Sequence, residues 1–201
     1  NSWPVPGVPD PISRSLRFRS SASAYLNRTP GTPTDATKWT YSVWVKRGSL
    51  TSSQATLLAA YTNSSNFCFF MFNSSDDTIR FYVYSGGAIV GDLKTTAVYR
   101  DPSAWYNILL SKSGTTFTLY VNGVATSWSG TAPPSSVFIN TATPHYIGQY
   151  GASGAYLDGY LTEINFIDGQ ALTASSFGTT DTATGAWIPM PYTGTYGANG
   201  F

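Results

Sequence analysis

A chain of 201 residues with a net charge of +1 fits one compact domain and gives no electrostatic steering toward nucleic acid or acidic membranes. Its single Cys, single His and single Glu exclude an internal disulfide, a Cys-based zinc site, a metal site with two His ligands and a catalytic Glu pair. Aromatics at 15 %, charged residues at only 10 %, 19 Gly, 12 Pro and abundant Ser and Thr describe a folded strand-and-turn protein, not a helical bundle or a disordered chain.

Residues 1–12, with Pro4, Pro6, Pro9 and Pro11, read as an extended amino-terminal arm. Ser15–Ser20 alternates apolar and polar residues and predicts a half-buried strand; Tyr25-Leu26 is a second short one. Trp39–Lys46 is the strongest strand signal, rich in β-branched and aromatic residues. Gln54–Tyr61 and Asn66–Phe72 flank a turn, and the second of these, apolar on both faces, is expected at the centre of a sheet. Thr78–Tyr84, Ala88–Thr96, Ala104–Lys112 and Thr116–Val121 follow, separated by Gly-, Asn- and Ser-rich turns. Ser127–Ser136 reads as a loop, His145–Gln149 as a short strand and Leu157–Ile167 as a long one. Thr173–Phe177 is a single helical turn with Thr173 as its N-cap. Many short strands at this spacing predict an all-β fold, an antiparallel β-sandwich or barrel covering residues 13–178. Residues 179–201 form an irregular carboxyl-terminal arm rich in Gly, Tyr and Pro. Trp3, Trp187, Tyr192, Tyr196 and Phe201 lie on the two arms, which are therefore expected to dock on the sandwich or on a partner.

No apolar run is long enough to span a bilayer and no signal peptide opens the chain, so membrane insertion is not expected. The chain lacks an initiator Met and reads as a processed product or a piece of something longer.

Three segments, Trp39–Lys46 with its Trp44-x-Lys46 ending, Ala104–Ile108 followed by Leu119-Tyr120-Val121-Asn122-Gly123, and Tyr146-Ile147-Gly148 with Leu157–Phe166 and Ala171-Leu172-Thr173, together resemble the laminin-G-like branch of the concanavalin A-like fold. The resemblance implies a jelly roll of the concanavalin A-like lectin/glucanase type. A narrower resemblance, carried by Ser15–Phe18 with Tyr25–Thr29, Arg100–Tyr106, Phe166–Leu172, and Trp187–Pro189 with Tyr192–Gly197, is to tail-fibre and other virion-surface proteins of tailed bacteriophages. It implies a non-enzymatic protein at the virion surface, outside the cell, used for adhesion or display with other virion proteins in an oligomer, and with host glycan as a candidate ligand. A free carbohydrate-binding lectin module and a glycan-cleaving enzyme are the alternatives.

The candidate site residues follow from these readings. Trp128 in a polar loop, and Tyr150 and Tyr156 around a Gly-rich one, offer flat amphipathic rings to a sugar face or to a neighbouring subunit. Glucanases of the fold place acids at alternate strand positions, and here those positions are Leu161, Glu163 and Asn165, so no catalytic residue is assigned and Glu163 reads as a structural carboxylate. No cofactor is expected. Asp76, Asp77 and Asp158 are weak candidate Ca²⁺ ligands, although Asn-Ser-Ser-Asp-Asp is also an ordinary turn. His145 and Cys68 read as core residues.

Charge supplies the topological expectation. All eleven Lys and Arg lie at or before Lys112, while Asp158, Glu163, Asp168 and Asp181 follow it. Cross-strand pairing of the two halves accounts for such a split. In the sandwich these motifs resemble, the first and last strands are sheet neighbours, so the resemblance implies that Ser15–Ser20 pairs antiparallel with Leu157–Ile167, with Leu16 and Phe18 on the core face and Arg17 or Arg19 in an ion pair with Glu163.

Overall fold

The computed structural model describes residues 14–50, 55–152 and 154–201. The amino-terminal arm expected at residues 1–12, and Gln54, lie outside them. The strands, in chain order, are β1 (Leu16–Phe18), β2 (Leu26–Arg28), β3 (Lys38–Arg47), β4 (Ala55–Asn63), β5 (Asn66–Phe72), β6 (Thr78–Ser85), β7 (Ala88–Val98), β8 (Tyr106–Ser113), β9 (Thr116–Val121), β10 (Val124–Thr126), β11 (Trp128–Thr131), β12 (His145–Ile147), β13 (Gly159–Asp168), β14 (Gly178–Thr180) and β15 (Trp187–Pro189). A six-stranded sheet runs β1-β13-β3-β8-β9-β10 and a seven-stranded sheet β11-β7-β6-β5-β4-β12-β2, both antiparallel. They form a jelly-roll sandwich, and β5 stands at the centre of the larger sheet.

Alternation along the strands builds the core. Trp39, Tyr41, Val43 and Val45 of β3 face Leu57, Phe70, Phe72 and Phe81 of the other sheet in one buried cluster. The ring of Phe81 lies 5.2 Å from that of Phe117 across the two layers. The Tyr41 hydroxyl donates to the Leu57 carbonyl at 3.0 Å, which satisfies a fully buried polar group between the sheets. Cys68 is buried in this core, and burial pushes its thiol up to about 12. His145 is also buried; its Nε2 accepts from the Asn140 N–H at 3.0 Å and its Nδ1 donates to the Thr143 carbonyl at 2.6 Å.

The first and last long-range partners are as expected. β1 pairs antiparallel with β13 in the register Leu16↔Leu161, Arg17↔Tyr160, Phe18↔Gly159. Phe18 is buried, but Leu16 is 51 % exposed, so only one of the two enters the core. The expected ion pair with Glu163 is corrected. A β-bulge interrupts β13 between Thr162 and Asn165, and Glu163 adopts φ 47° within it, which turns its side chain to solvent. Arg17 instead pairs with Asp158 at 2.8 Å and lies over the Tyr160 ring, and Arg19 makes no ion pair among the described residues. The charge split is otherwise not cross-strand pairing of the halves. The ion pairs Arg47–Asp77, Arg100–Asp77, Arg80–Asp92 and Lys94–Asp76 all lie within the first half of the chain.

Residues after Phe177 cover the outer face of the six-stranded sheet. Phe177, Tyr192 and Tyr196 pack on Leu109, Tyr120 and Ile167 of β8, β9 and β13. The Trp187 indole N–H donates to Asn107 Oδ1 at 3.0 Å, and the Tyr196 hydroxyl donates to Asn165 Oδ1 at 2.9 Å. Phe201 exchanges both backbone bonds with Phe166. The short hairpin of β14 and β15 was not legible in a stretch without periodicity. At Thr173 the expected helical turn is a 3₁₀ turn over Ala174–Ser176 without a side-chain cap bond.

Asp168, at the end of β13, fixes this tail. Its carboxylate accepts from the N–H groups of Thr34 (2.6 Å), Asn199 (3.1 Å) and Asp35 (3.4 Å), and from Asn140 Nδ2 (2.7 Å). Burial pushes its pKa up, but the bonds from Thr34, Asn140, Asn199 and Asp35 outweigh it and the net shift is downward. Asp168→Ala strands several buried donors and is expected to cost roughly 3 kcal/mol, read as a lower urea midpoint at unchanged slope.

A second prediction concerns pH. Burial, with a smaller push from Arg28, lowers His145 from 6.5 to about 4 against the bond to the Thr143 carbonyl. The unfolded chain therefore takes up the proton first. The neutral ring's contribution is complete above 6.5 and is lost as pH falls from 6.5 toward 4, by up to about 1.4 kcal/mol per pH unit. His145→Gln should flatten that difference in urea unfolding measured across the same window.

Candidate functional site: an aromatic cleft on the open sheet face

The seven-stranded sheet carries a second set of apolar residues on the face away from the core. Alternation along β5 sends Cys68, Phe70 and Phe72 inward, leaving Phe67, Phe69 and Met71 outside. On β6, Arg80, Tyr82 and Tyr84 take the outer positions between inward Ile79, Phe81 and Val83.

The register makes rings meet. Phe69 stands opposite Tyr82, and Phe67 opposite Tyr84. Phe69 and Tyr82 are 5.0 Å apart at 17°, Phe67 and Tyr84 5.1 Å at 25°, Phe67 and Phe69 5.6 Å at 13°, and Tyr82 and Tyr84 6.3 Å at 9°. The result is an array of nearly parallel rings shared by β5 and β6. Tyr150, from the loop after β12, stands edge-on to it, 5.8 Å from Phe67, 5.9 Å from Phe69 and 5.6 Å from Tyr61. Phe67, Phe69, Arg80, Tyr82 and Tyr150 enclose an open cleft of about 390 Å³.

Its charges are internally paired. Arg80 binds Asp92 in a two-pronged bridge, Nε to Oδ1 at 2.6 Å and Nη2 to Oδ2 at 2.7 Å, while its guanidinium lies 4.7 Å over the Tyr82 ring. Next along β7, Lys94 binds Asp76 at 2.6 Å. Burial raises the phenols of Tyr82 and Tyr150, so both keep their protons at neutral pH. Each hydroxyl can both donate and accept a hydrogen bond.

Of the residues expected at the site, the structure brings only Tyr150 to this cleft. Trp128 is not in a loop. It opens β11, pairs with Thr95 of β7, and packs against the main core. Tyr156 is half-buried, and its hydroxyl accepts from Gln149 Nε2 at 3.1 Å. The candidate Ca²⁺ ligands are committed elsewhere: Asp76 to Lys94, Asn73 and Thr78, Asp77 to Arg47 and Arg100, and Asp158 to Arg17 and Ser20. Burial pushes Asp76 up, yet the bonds from Lys94, Thr78 and Asn73 hold it well below the usual carboxylate range. No group of acidic, His or Cys side chains that could hold a metal ion occurs among the described residues. Phe67, Phe69, Arg80 and Tyr82 were missed by sequence reasoning, although one signal was there. In a two-layer sandwich each strand has one outer face, so a β5 apolar on both faces must expose aromatic surface or cover it.

This two-sheet antiparallel architecture is that of the concanavalin A-like lectins and glucanases. Residues 20–188 match Laminin_G_3 of the concanavalin A-like lectin/glucanases superfamily, and the chain belongs to that family. No curated protein matches it. Similar solved structures include domain 4 of AbnA, a GH43 extracellular arabinanase of Geobacillus stearothermophilus in complex with arabinotriose, with a TM-score of 0.56, 18 % identity and coverage of 73 % of this chain and 67 % of that one. The SAP-like pentraxin of Limulus polyphemus, a heptamer, has a TM-score of 0.54 at 15 % identity, covering 81 % and 75 %. Tailspike protein 2 of an Escherichia coli O157:H7 bacteriophage has 0.61 at 13 % identity, covering 81 % of this chain and 23 % of that one. At these identities the likeness is one of fold.

Gly151 holds the Tyr150 loop against the sheet. It has φ 109°, and a Cβ there would overlap the Tyr61 Cβ and press on the Tyr146 ring at 3.1 Å. Gly151→Ala is expected to lift Tyr150 from the array at a local cost of roughly 1–3 kcal/mol. Near-ultraviolet circular dichroism should change while the far-ultraviolet strand signal stays.

Proposed function

We propose that this domain is a non-catalytic glycan-binding module of a bacteriophage virion-surface protein, and that the cleft of Phe67, Phe69, Arg80, Tyr82 and Tyr150 holds the sugar. One observation carries the reading. The six-stranded sheet hides its outer face under the chain's own tail, whereas the seven-stranded sheet presents Phe67, Tyr82 and Tyr150, partly exposed over buried Phe69 and Met71, beside a fixed Arg80–Asp92 pair. Sugar rings present apolar C–H faces to aromatic side chains and hydroxyls to polar ones, and phenols with a two-pronged Arg–Asp pair serve both.

The non-catalytic part rests on the carboxylates. Glycosidases usually need two free carboxyl groups flanking the scissile bond. Asp92, the acid that Arg80 holds beside the cleft, is bound through both oxygens, and Glu163 stands on the other sheet. The virion part is supported by the tail-fibre-like motifs and by a fold shared with a bacteriophage tailspike.

The test is a glycan array probed with the wild-type chain and with Tyr82→Ala. Wild-type binding should fall at least about tenfold, or ~1.4 kcal/mol, in the variant, and no reducing sugar should be released from bound glycans. Antiserum against the domain should label intact particles. No wild-type binding on the array overturns the glycan reading, and sugar release overturns the non-catalytic one. Self-association through this face, seen as a concentration-dependent mass that Tyr82→Ala abolishes, identifies the face as a protein interface instead.

A further inference from the structure

The sandwich is thinly closed on the side of β1 and β2, both three-residue edge strands. β1 covers β13 only from Gly159 to Leu161. Beyond the bulge the β13 edge is taken by Phe201 instead, through its two backbone bonds with Phe166. Between β2, β12 and this stretch of β13 lies a narrow cavity of about 40 Å³. Its floor is Leu58, His145, Ile147 and Phe166, all buried. Its rim includes the exposed Arg28 and Phe201, whose ring is 44 % exposed and stacks 5.9 Å from that of Phe166. Leu58, Ile147 and Phe166 belong to the main core cluster, so the cavity lies between the sheets and apart from the aromatic cleft.

The floor asks for an apolar occupant. Both His145 nitrogens are spent on Asn140 and Thr143, so the ring offers the cavity only its C–H edges. Asn199 beside it spends its side-chain amide on Gly31 and Asn140. A water here would find too few partners to hold it, whereas a hydrocarbon group needs none. At the mouth the chemistry reverses. Arg28 makes no ion pair among the described residues. Its Nη1 donates to the Asn199 carbonyl at 3.2 Å, and its guanidinium stands 5.8 Å from the centre of the Phe201 ring. An unpaired surface cation is ordinary, but this one is anchored at the mouth of an apolar cavity. Burial is the main reason that the His145 ring stays neutral, and the Arg28 charge adds to it, so that charge is felt at the cavity floor.

We propose that this cavity binds a short-chain aliphatic carboxylate, with its hydrocarbon end among Leu58, Ile147 and Phe166 and its carboxylate on the Arg28 guanidinium. The site is independent of the glycan reading above. Size sets the chain length. Roughly 10–15 Å³ of cavity admits one water-sized group, so about 40 Å³ admits a chain of about three or four carbons. Butyrate and valerate are of that size. A guanidinium and a carboxylate meet as a two-pronged pair, which gives the mouth its preference for an anion over a neutral amide of the same shape. The floor is held by the core, so little has to be ordered when the ligand enters.

The experiment follows the ring C–H resonances of His145, the only His in the chain, by NMR at fixed pH. The intact chain is titrated with the sodium salts of acetate, propionate, butyrate, valerate and octanoate, with butyramide, and with sodium chloride. Butyrate should shift the His145 resonances saturably. Affinity should rise about fourfold per added methylene from acetate to butyrate and stop rising before octanoate. Butyramide should bind at least about tenfold more weakly than butyrate. Arg28→Gln, at an exposed position, should erase that preference and leave butyramide affinity unchanged. The comparison of butyrate with butyramide on the wild-type chain carries the test should the variant fail to fold. No saturable shift with any of the acids, a shift matched by sodium chloride, or equal wild-type affinity for butyrate and butyramide overturns the site. Undiminished butyrate binding in Arg28→Gln overturns the role of Arg28, and affinity still rising through octanoate overturns the short chain. The glycan reading stands or falls separately, on the array.

Discussion

A carboxylate with no counter-cation among the described residues governs the exposed surface of this domain. Asp168 takes its hydrogen bonds from Thr34 and Asp35 before β3, from Asn140 before β12, and from Asn199 near the chain's end. These segments are far apart in sequence, and none could leave without stranding buried polar atoms. With Asn199 held, Tyr196 and Phe201 pair with β13 and the aromatic tail closes over β8 and β9. A sandwich has two outer faces, and this one carboxylate decides that the six-stranded sheet's face is sealed from within.

The opposite face is left to meet other molecules, and its composition differs in kind. An ordinary solvent face of an antiparallel sheet is polar. Here Phe67, Tyr82 and Tyr146 are partly exposed above buried Phe69 and Met71, while Arg80 and Lys94 are neutralised by Asp92 and Asp76. Aromatic area combined with cancelled charge favours a ligand that stacks and hydrogen-bonds over one drawn in by long-range attraction.

Much of the fold could be read in advance because the strands announce themselves locally. Runs of β-branched, aromatic and apolar residues bounded by Gly, Asn or Ser turns identified β3, β5, β6, β8, β9 and β13, and the pairing of β1 with β13 followed from the family resemblance. What failed was of another kind. Glu163 was assigned to a regular strand face, but the bulge after Thr162 changes its direction, and nothing in Leu-Thr-Glu-Ile-Asn marks a bulge. Arg17 consequently meets Asp158. Trp128 was placed in a loop because Ser, Gly and Pro surround it, yet pairing with β7 makes it an edge-strand residue. The site was half legible. Tyr150 stood out beside its glycines, whereas Tyr82 and Tyr146 gain meaning only through registers among strands distant in sequence.

Those registers also decide how rigid the site is. Phe69 is flanked by Cys68 and Phe70, both fully buried, and Tyr82 by Phe81 and Val83, buried as deeply on β6. Moving either ring would disturb the core beneath it, so their spacing is inherited from inner packing. Tyr150 is different, being held by a loop whose close approach depends on Gly151. The site therefore joins a preformed floor to one wall that a ligand can move, and the ordering cost of binding falls on that wall alone. Proteins sharing this fold at 13–18 % identity need not share such a floor, because the inner face fixes the architecture and leaves the outer positions of β4, β5, β6 and β12 free to diverge.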